Sequence, residues 1–134
     1  YDISLHLRVV LPIALRSKKF FDPGNMNWVR YIQRDWNRRA EFLGLPHVWP
    51  NPDPIVQDLA TLSIATDQPY IYRLSKLGVE AERRGRGPVF AAEVAGLLFS
   101  GTQNWDRGDH LARATERAGL DLAQMETAVA DGTA

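Results

Sequence analysis

Residues 3–10 read Ile-Ser-Leu-His-Leu-Arg-Val-Val. Ile3, Leu5, Leu7 and Val9 alternate with Ser4, His6 and Arg8, a period of two that predicts a β-strand with one buried face. Pro12 ends its ladder, because proline has no N–H to give. No second segment of the 134 residues carries a comparable strand pattern. A lone strand leaves its backbone N–H and C=O groups unpaired, and even a two-stranded ribbon is marginal in water. The expected partners are therefore another chain or residues beyond this sequence, as in an α/β domain cut on both sides. The alternative is an edge extension on an all-α domain.

The rest of the chain reads as helices. Asp22-Pro23-Gly24-Asn25 is a dense turn signal. Asn27 is then placed to cap a helix over about 28–43, with Trp28, Ile32, Trp36, Ala40 and Leu43 forming its apolar stripe. Gly44 fits the left-handed position after the helix, and Pro46 follows as a stop. Pro46, Pro50, Pro52 and Pro54 force an extended connection. Asp53–Ser63 is expected to turn helical, with Ile55, Leu59 and Leu62 on one side. Asp67 and Pro69 are expected to start the next helix as cap and first-turn residue. Its buried stripe is Tyr70, Ile71, Leu74, Leu77 and Ala81, and it ends in the run Arg83–Gly87. Pro88 opens a helix to about Phe99, and Gly101 terminates it. A polar loop, Thr102–Gly108, leads to a short helix over about 109–118. Gly119 closes that helix, and Asp121 with Gln124 caps the last one.

The totals remove several functions. Sixteen basic and sixteen acidic residues cancel, so the electrostatic footprint of a nucleic-acid binder is missing. The same balance gives no attraction to an anionic membrane. No run of about eighteen apolar residues is present to span a bilayer, and no signal peptide is visible. Cysteine is absent, so these residues supply no disulfide, thiolate or zinc–thiolate site. The expected location is cytoplasmic.

The segment Trp28-Val-Arg-Tyr-Ile-Gln-Arg-Asp-Trp-Asn-Arg-Arg-Ala-Glu-Phe-Leu-Gly-Leu-Pro46 resembles the first helix after the second strand in the 2-hydroxychromene-2-carboxylate isomerase group. That group belongs to the DsbA-like, thioredoxin-fold superfamily, alongside kappa-class glutathione transferases. Tyr31, Arg34-Asp35, Arg38-Arg39, Ala40 and Leu43-Gly44-Leu45-Pro46 carry the resemblance. Phe90 to Leu98 and Ala118-Gly119-Leu120-Asp121 resemble the last elements of the family's helical insertion. The implied fold is mainly α in this chain, one β-strand plus the helical insertion of a thioredoxin-like α/β domain. Residues 1–134 are then a single incomplete domain, with 1–27 the strand and loop of the thioredoxin-like core and 28–134 the insertion. The resemblance also implies that the thiol-activating Ser or Cys turn and the cis-proline strand lie outside these residues.

Three residues are candidate ligand groups. The resemblance relates Gly24-Asn25 to a Gly-Asn that lines the glutathione or substrate pocket, and an Asn amide both donates and accepts; a plain turn asparagine is the competing explanation. Arg30 and Arg34 sit four apart on one helix face, with Arg38 continuing the row. Their guanidinium forks suit a carboxylate such as those of glutathione or a chromene carboxylate. The competing explanation is a solvated face paired locally with Asp35 or Glu41. His6, His47 and His110 have no metal-ligand spacing, and Asp106, Asp109 and His110 are better explained by helix-start capping than by a metal. Gly85-Arg86-Gly87 is too short for a phosphate loop. The four tryptophans, Trp28, Trp36, Trp49 and Trp105, are expected as core or interface anchors.

The leading expectation is a fragment of a glutathione-dependent isomerase or transferase, with glutathione and a small-molecule substrate as partners and a possible homodimer. A Ser near a helix N-terminus would stabilise the glutathione thiolate in such an enzyme. A thiol–disulfide oxidoreductase of the same superfamily is the second reading. A non-catalytic helical binding or dimerisation module is the third.

Overall fold

A computed structural model of the chain describes residues 2–17, 19, 22, 24 and 26–132. It is mainly helical. A short turn of helix α1 (Ile13–Arg16) is followed by the long helix α2 (Met26–Leu43). A two-residue-per-strand hairpin follows, β1 (Gln57–Asp58) and β2 (Ser63–Ile64). Four helices complete the chain: α3 (Ile71–Arg83), α4 (Gly87–Phe99), α5 (His110–Arg117) and α6 (Leu122–Ala130). Among the described residues no helix is long and apolar enough to cross a membrane.

The core lies within α3–α6 and the loop between α4 and α5. Leu77, Ala81, Phe90, Trp105, Ala114, Ala118 and Met125 are each at most 2% exposed and form one cluster with Val94, Leu97, Leu98 and Leu111. Trp105 anchors it: its ring meets Tyr70 edge-on, and Nε1–H donates to the Pro52 carbonyl at 2.6 Å. The buried Thr115 hydroxyl is satisfied by the Leu111 carbonyl one turn back. Buried Glu80 is held by Arg84 at 2.7 Å.

The helix ends follow from particular residues. Gly119 has φ +75°, with Gly119 N–H donating to the Glu116 carbonyl and Leu120 N–H to that of Thr115. This doubly bonded turn satisfies carbonyls that a helix end otherwise orphans. Arg86 Nε adds a donor to the Ala118 carbonyl at 2.7 Å. The basic residue of the Gly-Arg-Gly stretch thus joins the α3–α4 turn to the α5–α6 turn. Asp121 accepts from the Gln124 N–H, capping α6 as its sequence spacing predicts.

Several sequence expectations need correction. Residues 3–10 form no strand and belong to no sheet. Their alternation survives as a docking pattern instead, with Leu7 and Val9 half-buried against the α3–α4 corner while Ile3, Leu5 and Val10 are exposed. The floor of that track is glycine. A β-carbon on Gly78 would touch Val9 at 3.0 Å, and one on Gly87 would collide with the Glu82 carboxylate and the Leu7 side chain. The Glu82 carboxylate accepts from the Leu7 N–H and meets the His6 ring, both at 2.9 Å.

The helix expected over Asp53–Ser63 is absent. Asp53 turns the chain by accepting from the Ile55 N–H, and Asp58 does the same for Ala60 and Thr61. Buried Gln68 then holds 56 and 65 together. Its amide accepts from Val56 N–H and donates to the carbonyls of Val56 and Ala65, each at 2.9 Å. Short aspartate turns compete locally with helix, and here they win. Pro69 and Asp67 do not start α3 as expected: the helix begins at Ile71, with Tyr70 before it and no side-chain cap. Asp109 likewise precedes α5 without capping it. Asn27 lies inside α2 rather than before it.

Candidate functional site

Helix α2 stands apart from the α3–α6 packing. It is tied to it through the 45–53 segment, where aromatic rings form a ladder. Trp36 stacks on Trp49 at 5.9 Å, and His47 stacks on Phe99 at 5.6 Å. His47 also bonds Asn37, Val48 N–H donates to the Phe99 carbonyl, and Trp49 Nε1–H donates to Asp53. The end of α2 forms the same doubly bonded glycine turn as α5, with Gly44 at φ +64°. The apolar stripe of α2 is only partly covered: Val29 is buried, whereas Trp28, Trp36 and Leu43 are each more than 40% exposed. Of the four tryptophans expected as anchors, Trp105 alone is a core residue.

The predicted arginines come together on this helix. Arg30, Arg34 and Arg38 line one solvent-open groove of about 450 Å³ with Asn27 and Tyr31. Successive members of the row are about 6 Å apart at Cβ, and the whole row runs about 12 Å along the axis. Among the described residues, none of the three arginines pairs with a carboxylate. The local partners considered from the sequence, Asp35 and Glu41, form no ion pair with them. Their side chains remain solvated, and an arriving anion need not displace an internal partner. Arg39 points elsewhere, over the Phe42 ring at 5.3 Å.

Asn25, the third candidate, lies outside the described residues. Before it, the Gly24 N–H donates to the Asp22 carboxylate at 2.9 Å. The groove contains Tyr31 as a hydroxyl donor and acceptor. This arrangement can hold and orient an anion. It offers no thiol of its own, since the chain has no cysteine.

Sequence reading missed two polar constellations. One is the clip of Glu82 on His6 and Leu7, where the Leu7 amide and then His6 hold the Glu82 carboxyl below the usual carboxylate range. The other is the set His110, Arg113 and Arg117, whose i, i+3, i+7 spacing was legible as one helix face. The first depends on which elements meet, which no local pattern reveals, and the second lines a groove only where α5 meets α4. Asp106 presents one buried carboxylate oxygen with no partner among the described residues. Compared with protein-family models, curated proteins and solved structures, the chain matches none.

Proposed function

We propose that this chain serves a glutathione-dependent isomerase or transferase of the DsbA-like kind, with α2 as its ligand-gripping helix and α3–α6 as scaffold. The observation that carries this reading is the unpaired row Arg30, Arg34 and Arg38 beside Tyr31. Glutathione is a tripeptide with a carboxylate at each end. Three extended residues span about 10 Å, which is comparable to the row, so two guanidinium forks can take the two ends while the third screens the middle. Charge-assisted bonds of this type are roughly twice as strong as neutral ones. The chain has no thiol of its own, so glutathione would supply the sulfur that adds to an unsaturated bond and leaves after rotation. Such chemistry belongs in the reducing cytoplasm.

The test is calorimetric titration of the chain with glutathione at low salt, beside Arg30→Ala/Arg34→Ala. Saturable binding lost by at least tenfold in the double variant supports the proposal. Equal heats for the two proteins would remove it.

A second reading has its own support. Tyr31 and Phe42 on α2 are 60% and 79% exposed, as a helix that docks on a macromolecule would present them. On that reading the chain is a binding or dimerisation module. Its mass by sedimentation would rise with concentration, and Phe42→Ser would keep it monomeric.

A further inference from the structure

Gly96 lies inside α4, where glycine weakens a helix relative to alanine. No packing reason offsets that cost, because a β-carbon built there would meet no atom within 4 Å. The empty space is a groove of about 230 Å³ between α4 and α5. Ser100 and Thr102 stand on one side of it, and His110, Arg113 and Arg117 on the other. The two helices run antiparallel: Arg117, at the end of α5, reaches Glu93 in the middle of α4, while His110, at the start of α5, shares the groove with Ser100 and Thr102 just past the end of α4.

The polar groups that line this groove are donors. The Arg117 Nε–H is taken by Glu93 at 2.6 Å, and its terminal N–H groups have no hydrogen-bond partner among the described residues. Arg113 has Asp109 at 4.0 Å, and both side chains are about two-thirds exposed, so that pair is weak. His110 has no hydrogen-bond partner among the described residues. No carboxylate is part of the described lining. The volume is below the range typical of drug-sized ligands and suits a single ionic group. Two guanidinium groups, an imidazole and two hydroxyls offer more donors than the two oxygens of a carboxylate can use. They match the oxygens of a phosphoryl group.

We propose that the α4–α5 groove binds a phosphoryl group through Arg113, Arg117 and His110, with Ser100 and Thr102 completing its hydrogen bonds. This site is separate from the arginine row of α2 and does not rest on the glutathione reading.

The experiment is residue-resolved NMR titration of the full chain with inorganic phosphate at low ionic strength and pH 7, with acetate as a parallel arm. The expected result is saturable shifts in the millimolar range, centred on 96–102 and 110–117, with phosphate bound more tightly than acetate. Arg113→Gln weakens binding at least tenfold. Gly96→Leu fills the groove and abolishes binding, while its circular dichroism and melting temperature show a fold at least as stable. Glu93→Gln frees Arg117 and tightens binding severalfold. Phosphate shifts centred on 30–38 would overturn the proposal, as would equal affinity for acetate or binding unchanged by Gly96→Leu.

Discussion

Residues 66–132 and residues 2–56 solve the problem of apolar surface in opposite ways. In the first region Leu77, Phe90, Trp105 and Met125 are almost fully enclosed by one another. In the second, Ile3, Leu5 and Val10 are about 70% exposed or more, and Phe42 is 79% exposed. Both regions have ordinary helix-forming or strand-forming patterns, so periodicity alone does not decide burial. What differs is the cover each stripe finds. Each of α3–α6 has another helix across its apolar stripe, whereas α2 makes its ring contacts with the 45–53 segment and leaves much of its stripe open, and the N-terminal stretch docks on the α3–α4 corner. Stability therefore concentrates in the helical cluster, while the exposed arginines and aromatics of α2 remain accessible to a ligand or partner.

The sharpest way to break this contrast is a pair of truncations. Leu77→Ala should cost about 2–5 kcal/mol, measured by urea unfolding, and Phe42→Ala should change stability by about 0.5 kcal/mol or less. Comparable losses would mean that α2 is as deeply embedded as α3. Next in size, Gly87→Ala forces a methyl into Glu82 and Leu7. It should cost about 1–3 kcal/mol and speed hydrogen exchange at the Leu7 amide. Asp121→Ala removes the α6 cap and should cost about 1 kcal/mol.

The smallest effect is pH-dependent. Glu82 is held below its ordinary carboxylate value by the Leu7 N–H and His6. A carboxyl with a lowered folded value stabilises the fold above its unfolded value, and that contribution is lost as pH falls through the folded one. Protection of the Leu7 amide should therefore fall on acidification below the ordinary carboxylate range, and Glu82→Gln should flatten that dependence. Global unfolding should move little, because the group is only partly buried and water screens it.

Much of this was legible in the sequence. The helices over 28–43, 88–99 and 109–118 stand within a few residues of their expected bounds, because each carries its own stripe and a glycine stop. The alternation at 3–10 was read as a strand with one buried face, but a strand is a pairing: residues 3–10 form none, and only Leu7 and Val9 of the four alternating residues are partly covered. The 53–63 segment was misread because Ile55, Leu59 and Leu62 mimic a helical stripe, while Asp53, Asp58 and the distant Gln68 side chain fix its turns. The arginine row was readable from i, i+4 spacing, since one helix suffices to assemble it. The groove at Gly96 needed two helices to meet, and so waited for the structure.

Hydrogen exchange on the intact chain, with and without glutathione, tests the division of labour directly. At a glutathione concentration roughly a hundred times its dissociation constant, linkage slows exchange of a bound element by about a hundredfold. The expected result is that slowing in α2 around Arg30–Arg38, with the slowest amides of α3–α6 set by global unfolding throughout. Unchanged exchange in α2 at saturating glutathione, or protection confined to α3–α6, would contradict the assignment of ligand binding to the arginine helix.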